Sequence, residues 1–134
     1  MSPLCLRRLT IVFAAFAAAV AGAAPALARG GGRDTEVRVA GTCGTGATSR
    51  LRVRSDDGGL EARFEVWGRA SATWTVTLVH EHQIAWRGHR RTTGRSHYLS
   101  FGYRLPDFSG ADVVSARAVG PRGVACWASA TLSG

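Results

Sequence analysis

Arg50, Arg52 and Arg54 alternate with Leu51 and Val53, a spacing that in an extended chain sets three guanidinium groups on one side. Guanidinium forks grip phosphate and carboxylate, so this stripe, with Arg63 and Arg38 beside it, is a candidate anion-binding face. Arg87, His89, Arg90, Arg91 and Arg95 form a second basic group. Trp67 and Trp127 fall on the outward parity of their segments, where an exposed indole can stack on a sugar ring or anchor a protein partner. His80 and His82 flank Glu81; at i and i+2 of a strand two imidazoles face the same way and could chelate zinc or copper. They sit at a predicted turn, with no Cys or Asp in the segment to complete a ligand set. Solvated turn histidines are therefore the expected reading, and the pair is only a weak metal candidate.

Catalytic constellations are missing from the pattern. There is no G-x-S-x-G elbow, and the Ser, His and Asp residues show no spacing that associates them. Glu61 and Glu65 could form a glycosidase-like carboxylate pair, but each is better placed as a partner for an arginine. No Walker loop, G-x-G-x-x-G or zinc-knuckle spacing occurs. A non-enzymatic protein without a cofactor is expected.

The elements that would position these residues follow from the chain's organisation. Arg7 and Arg8, an apolar stretch from Leu9 to Val20, Pro25, and Ala26-Leu27-Ala28 together read as a signal peptide cut after Ala28. A retained anchor is the rival; the alanine-rich stretch and the interruptions at Gly22 and Pro25 argue against it. The domain is thus expected outside the cell, with no stable membrane insertion after cleavage. Of the 134 residues, removal of the first 28 leaves 106, enough for one domain with a modest core. Losing Arg7 and Arg8 takes the formal charge from +8 to +6, and every basic residue is arginine. Codon usage in a GC-rich genome accounts for that bias as readily as a demand for guanidinium. The charge points to an anionic envelope polymer or an extracellular protein as partner, and nucleic acid ranks below both.

Cys5 leaves with the peptide, so Cys43 and Cys126 remain, an even count that in an exported chain implies a disulfide. A thiolate pair on a metal would need further ligands that are not nearby in sequence. Residues 29–35 (RGGGRDT) read as a flexible tether. From Glu36 onward the hydrophobic pattern has period two and never settles into a helical period. Asp56-Asp57-Gly58-Gly59 is a hairpin turn, and pairing residue 56 with 59 sets Leu51 opposite Phe64 and Val53 opposite Ala62. The same register sets Arg54 against Glu61, Arg50 against Glu65, and Arg52 beside Arg63. Further inward sets are Trp74, Val76 and Leu78; Ile84 and Trp86; Leu99, Phe101, Tyr103 and Leu105; Val114, Ala116 and Ala118; and Val124, Cys126, Ala128 and Leu132. Residues 87–94 read as a polar connection, and the cysteines fall in the first and last strands.

Eight short strands with turn residues between them argue a β-sandwich or small barrel. The expected fold is all-β: a small antiparallel immunoglobulin-like β-sandwich of seven or eight strands over residues 36–134, with one disulfide and a preceding signal-peptide helix. Immunoglobulin topology is not implied, because the cysteines lie at the two ends.

The opening E-V-R-V-A-G-T-C (Glu36 to Cys43), a basic strand before a D-G turn, a central T-W-T-V-T-L and the closing V-A-C-W-A-S-A-T-L (Val124 to Leu132) are shared features. In these the chain resembles small exported proteins of unassigned role from GC-rich Gram-positive bacteria. The likeness spans nearly all of residues 36–134 and implies the sandwich and the disulfide, but no catalytic or ligand residues. Small secreted β inhibitors of hydrolases are similar in the pair Trp86-Arg87. Gly88 follows here where they carry an aromatic, and one disulfide is available. The expected function is a binding module for an anionic envelope polymer, with a protein-partner module as the alternative.

Overall fold

The computed structural model describes residues 35–44 and 46–134; the expected signal peptide (1–28) and residues 29–34 of the expected tether lie outside the described residues. Nine strands form two antiparallel sheets: β1 (Glu36–Ala40), β2 (Thr42–Cys43), β3 (Thr48–Asp56), β4 (Gly59–Trp67), β5 (Thr73–His80), β6 (Gln83–Arg91), β7 (Tyr98–Pro106), β8 (Asp112–Val119) and β9 (Ala125–Leu132). One sheet has the order β1-β3-β4-β7 and the other β2-β9-β8-β5-β6. Among the described residues the only helical element is a short 3-10 turn at Pro121–Gly123.

The sandwich follows from the period-two pattern. Leu51, Val53, Phe64, Val66, Leu99 and Phe101 point from the first sheet, and Val76, Leu78, Val114, Ala116, Ala118 and Ala128 from the second, into one shared core. Each fully buried Val, Leu or Phe contributes about 1.5–3 kcal/mol relative to exposure, which holds the sheets face to face. Along the β6–β7 side, Trp86 stacks on Phe101 with ring centroids 4.2 Å apart, and the Arg90 guanidinium lies 4.5 Å over the Trp86 ring.

The β3–β4 hairpin has the register expected from its turn at every pair, including Leu51 with Phe64, Arg50 with Glu65 and Arg52 with Arg63. Its two-residue loop, Asp57-Gly58, has positive φ at both positions. That is the primed turn whose twist suits two right-twisted strands.

Four expectations are corrected. The strand count is nine, because the opening segment splits at Gly41 into β1 in one sheet and β2 in the other. A side chain at Gly41 would run into Ser49 Oγ and lie 2.8 Å from the Trp127 carbonyl, so only bare backbone can cross there. Cys43 therefore belongs to the second strand. Ile84 points outward and is 62% exposed, because the β5–β6 register shifts between Leu78 and Val79. Leu78 pairs with Trp86 and Val79 with Ile84, so Ala85 on β6 is the extra residue, and it puts Ile84 on the opposite face from Trp86. Finally, β6 continues to Arg91, so Arg87 to Arg91 are strand residues rather than a polar connection.

The disulfide joins Cys43 to Cys126, directly opposite on β2 and β9 with Cα atoms 4.0 Å apart. It ties adjacent strands of one sheet rather than crossing the core.

Candidate functional site

The β3–β4 register, extended by β1 and β7, arranges the outer face of the first sheet into rows across the strands. One row is Glu36, Arg54, Glu61 and Arg104, alternating in sign. Another is Ala40, Arg50, Glu65 and Ser100, with one charge of each sign. Between them runs Arg38, Arg52, Arg63 and Gly102, three arginines directly opposite one another with no acid. Like charges in that relation destabilise a sheet, so this middle row is the electrostatic anomaly of the face.

Local pairing relieves part of it. Arg38 bonds Glu36, and Arg63 donates to Glu61 at 3.1 Å; each leans toward the glutamate two residues back on its own strand. Arg54 Nε donates to Glu61 at 2.6 Å, and Arg50 to Glu65 at 2.9 Å. Arg52, at the centre, has no carboxylate partner among the described residues. Arg63 Nε is buried without an acceptor. Arg38, Arg50, Arg52 and Arg63, with Glu65, line a depression of about 100 Å³. Gly102 leaves the far end of the row open, with nothing where a side chain would stand. The expected stripe along β3 is thus redistributed: Arg50 and Arg54 are ion-paired within charge-balanced rows, and the excess of positive charge lies in the middle row, where Arg52 alone lacks a carboxylate among the described residues.

Tyr98 Oη donates to Glu65 at 2.5 Å, and its ring packs on Trp67 with centroids 5.2 Å apart. Burial opposes ionisation of Glu65, but the bonds from Tyr98 and Arg50 and the nearby Arg50 and Arg52 charges outweigh it, holding its carboxyl below the ordinary 4.5. Glu61 is likewise lowered, its desolvation overcome by the bonds from Arg54 and Arg63. A carboxyl whose folded pKa is depressed stabilises the fold fully above its unfolded pKa, and that share is lost as pH falls through the folded value. Tm is therefore expected to be flat from neutral pH down to about 5, then to fall below about 4.5. In Glu65→Gln the acid-side fall should be shallower. A Tm that drops equally in both proteins between pH 7 and 5 would contradict this.

The other sequence candidates lie apart. Trp67 is half-covered by Tyr98 and by the Arg50 guanidinium, 5.5 Å from its ring, so it belongs to the arginine face. Trp127, 56% exposed, stands on the outer face of the second sheet opposite Arg117, beside a depression of about 410 Å³.

His80 corrects the expectation of a solvated turn. It is the last residue of β5, 5% exposed, with Nε2 2.7 Å from Asp112 Oδ1, while Asp112 is 2% exposed. Asp112, the completing acid that was not visible nearby in sequence, arrives on β8. Phe108 stacks over the imidazole at 5.0 Å, and its N–H donates to Asp112 at 3.4 Å. Glu81 accepts from the Val113 N–H at 2.5 Å. The ligand atoms of His80, Glu81 and Asp112 lie within 4.8 Å of one another, but each residue is already spent on fastening β5 to β8. His82 is exposed and not part of the group. Glu81 and His82 have φ of 47° and 65°, so the i, i+2 chelate of a regular strand does not form.

Thr92 was also missed. It is buried in the β6–β7 connection, where Oγ1 accepts from the Ala72 N–H at 2.8 Å and lies 3.2 Å from the Ala70 carbonyl. A threonine beside Gly94 reads as loop, and no local signal marks it as buried.

No family model, curated protein or solved structure matches the chain.

Proposed function

We propose that this domain is an exported, non-enzymatic module that binds an anionic envelope polymer through Arg38, Arg52 and Arg63. The observation that carries this reading is the acid-free arginine row between two charge-balanced rows, relieved only in part by Glu36 and Glu61 and not at all at Arg52. Strands lie about 4.8 Å apart, so three successive guanidiniums span roughly 10 Å, a linear array suited to successive charges on an extended polymer. A bound polyanion would offset the like-charge cost that the free face carries. The Cys43–Cys126 bridge supports an oxidising destination.

The test is retention on heparin and on purified wall teichoic acid at rising salt. Replacing Arg38, Arg52 and Arg63 by Gln should reduce the slope of log affinity against log salt by about two to three. Replacing Arg87, Arg91 and Arg95 removes the same charge elsewhere and should change retention much less. Equal losses in the two variants would reduce the face to bulk charge, and absence of retention would sink the reading.

The exposure of Trp127 favours a second reading, a protein-partner module such as a hydrolase inhibitor that uses the outer face of the second sheet. Trp127→Ala distinguishes the two, because polymer retention should be untouched by it.

A further inference from the structure

Trp74, the second residue of β5, is 3% exposed, and its indole Nε1–H is buried with no acceptor among the described residues. Buried indole N–H groups ordinarily find a partner, and leaving one unsatisfied is costly. Trp74 also forms part of the wall of an open cleft of about 650 Å³, bounded by the β4–β5 connection and the 3-10 turn before β9. This volume falls in the range of small-molecule sites.

The backbone is shaped to seat the ring. A side chain at Gly120 would come within 2.8 Å of the indole, and one at Gly68 within 3.3 Å of Cζ2, beside the edge that carries Nε1. Gly68 itself lines the cleft, so that edge of the ring lies toward it.

The rest of the lining divides into two chemistries. Ala70, Pro121 and Val124 offer apolar walls, whereas Arg69 and Arg122 offer cations and no acid lines the cleft. Neither arginine forms an ion pair among the described residues. Arg122 has φ 59° and ψ 27°, a left-handed conformation that suits glycine better.

We propose that this cleft binds a small amphiphilic anion. Its carboxylate or sulfonate meets Arg69 and Arg122, and its apolar body lies against Ala70, Pro121 and Val124 beside the thin exposed edge of Trp74. The site uses none of the arginines of the polymer-binding face, so the two readings stand or fall separately.

Titration of the purified protein with 8-anilinonaphthalene-1-sulfonate tests it, with N-phenyl-1-naphthylamine as the counterpart lacking the sulfonate. The anion is expected to bind saturably at one site, and the neutral compound at least about tenfold more weakly, as loss of a charge-assisted contact implies. Arg69→Gln with Arg122→Gly should weaken the anion by about tenfold or more. Glycine suits the backbone at 122, so this variant keeps its Tm and the loss cannot be assigned to unfolding. Displacement by decanoate or by 2-naphthoate sorts aliphatic from aromatic bodies. Equal binding of the charged and neutral probes, wild-type affinity in the double arginine variant, or displacement by neither competitor would overturn the proposal.

Discussion

Converting both Cys43 and Cys126 to alanine is expected to lower the free energy of unfolding by about 4–5 kcal/mol, the chain-entropy value for the 83-residue separation they close. For a domain of this size that is a large share of a total of about 5–15 kcal/mol. The native state has little to replace it with. β2 holds β9 through only two residue pairs, Thr42 with Trp127 and Cys43 with Cys126, so the covalent link and the short ladder coincide. Urea unfolding at pH 7, with the two proteins' slopes compared, measures the effect. A loss under about 1 kcal/mol at unchanged slope would show that the unfolded chain is already confined by other means. Hydrogen exchange should also report earlier opening at β2 than elsewhere in its sheet.

The next largest effect is expected at the buried pair on β5 and β8. Asp112→Ala removes the acceptor for the buried His80 Nε2 and for the part-buried Phe108 N–H, stranding the imidazole donor inside the sandwich. A loss of about 3 kcal/mol is expected, at the upper end for an unsatisfied buried donor and the lower end for a broken buried pair. His80→Leu combined with Asp112→Leu should cost less than the single change, because the buried imidazole is no longer left unpaired and only the Phe108 N–H, on a half-exposed residue, still loses its acceptor. Thermal or urea unfolding of the three variants supplies the comparison. A double variant less stable than Asp112→Ala would mean that the pair adds net stability beyond mutual satisfaction.

What could be read from the residues and what could not divides along the range of the interactions. The β3–β4 hairpin was legible because its evidence is local: a D-G turn, alternating Leu51, Val53, Ala62 and Phe64, and arginines that meet glutamates in the same register. Arg52 beside Arg63 came with it. Arg38 completes the row only through β1 pairing with β3, and no nearby turn fixes that pairing. The His80–Asp112 contact joins residues 32 apart through the β5–β8 ladder, which explains why the histidine looked like part of a solvated turn. Ile84 failed for a different reason. Alternation predicts a facing direction only while the residue count is uninterrupted, and the shift at Leu78/Val79 breaks it. The Trp74 cleft was not legible at all, because three separate connections build it and the orphan donor appears only when they are assembled.

The arginine row also sets how the face responds to its surroundings. Guanidinium stays protonated at any pH a cell or its medium reaches. Glu61 and Glu65 are held below the ordinary carboxylate range, and Tyr98, by burial and its bond to Glu65, above the ordinary phenol value of 10.0. No histidine or lysine occupies a strand position on that face. Around neutral pH neither Glu61, Glu65 nor Tyr98 therefore changes its charge, and on the proposed reading the protein would not be the proton sensor of its own attachment. Were the face to hold a polyanion as proposed, any change in attachment with acidity would have to originate in the polymer, through protonation of its anionic groups. Such a surface would report the chemical state of its partner while remaining invariant itself. With no lysine in the chain, acylating reagents and enzymes that modify amines also have no side chain through which to weaken it.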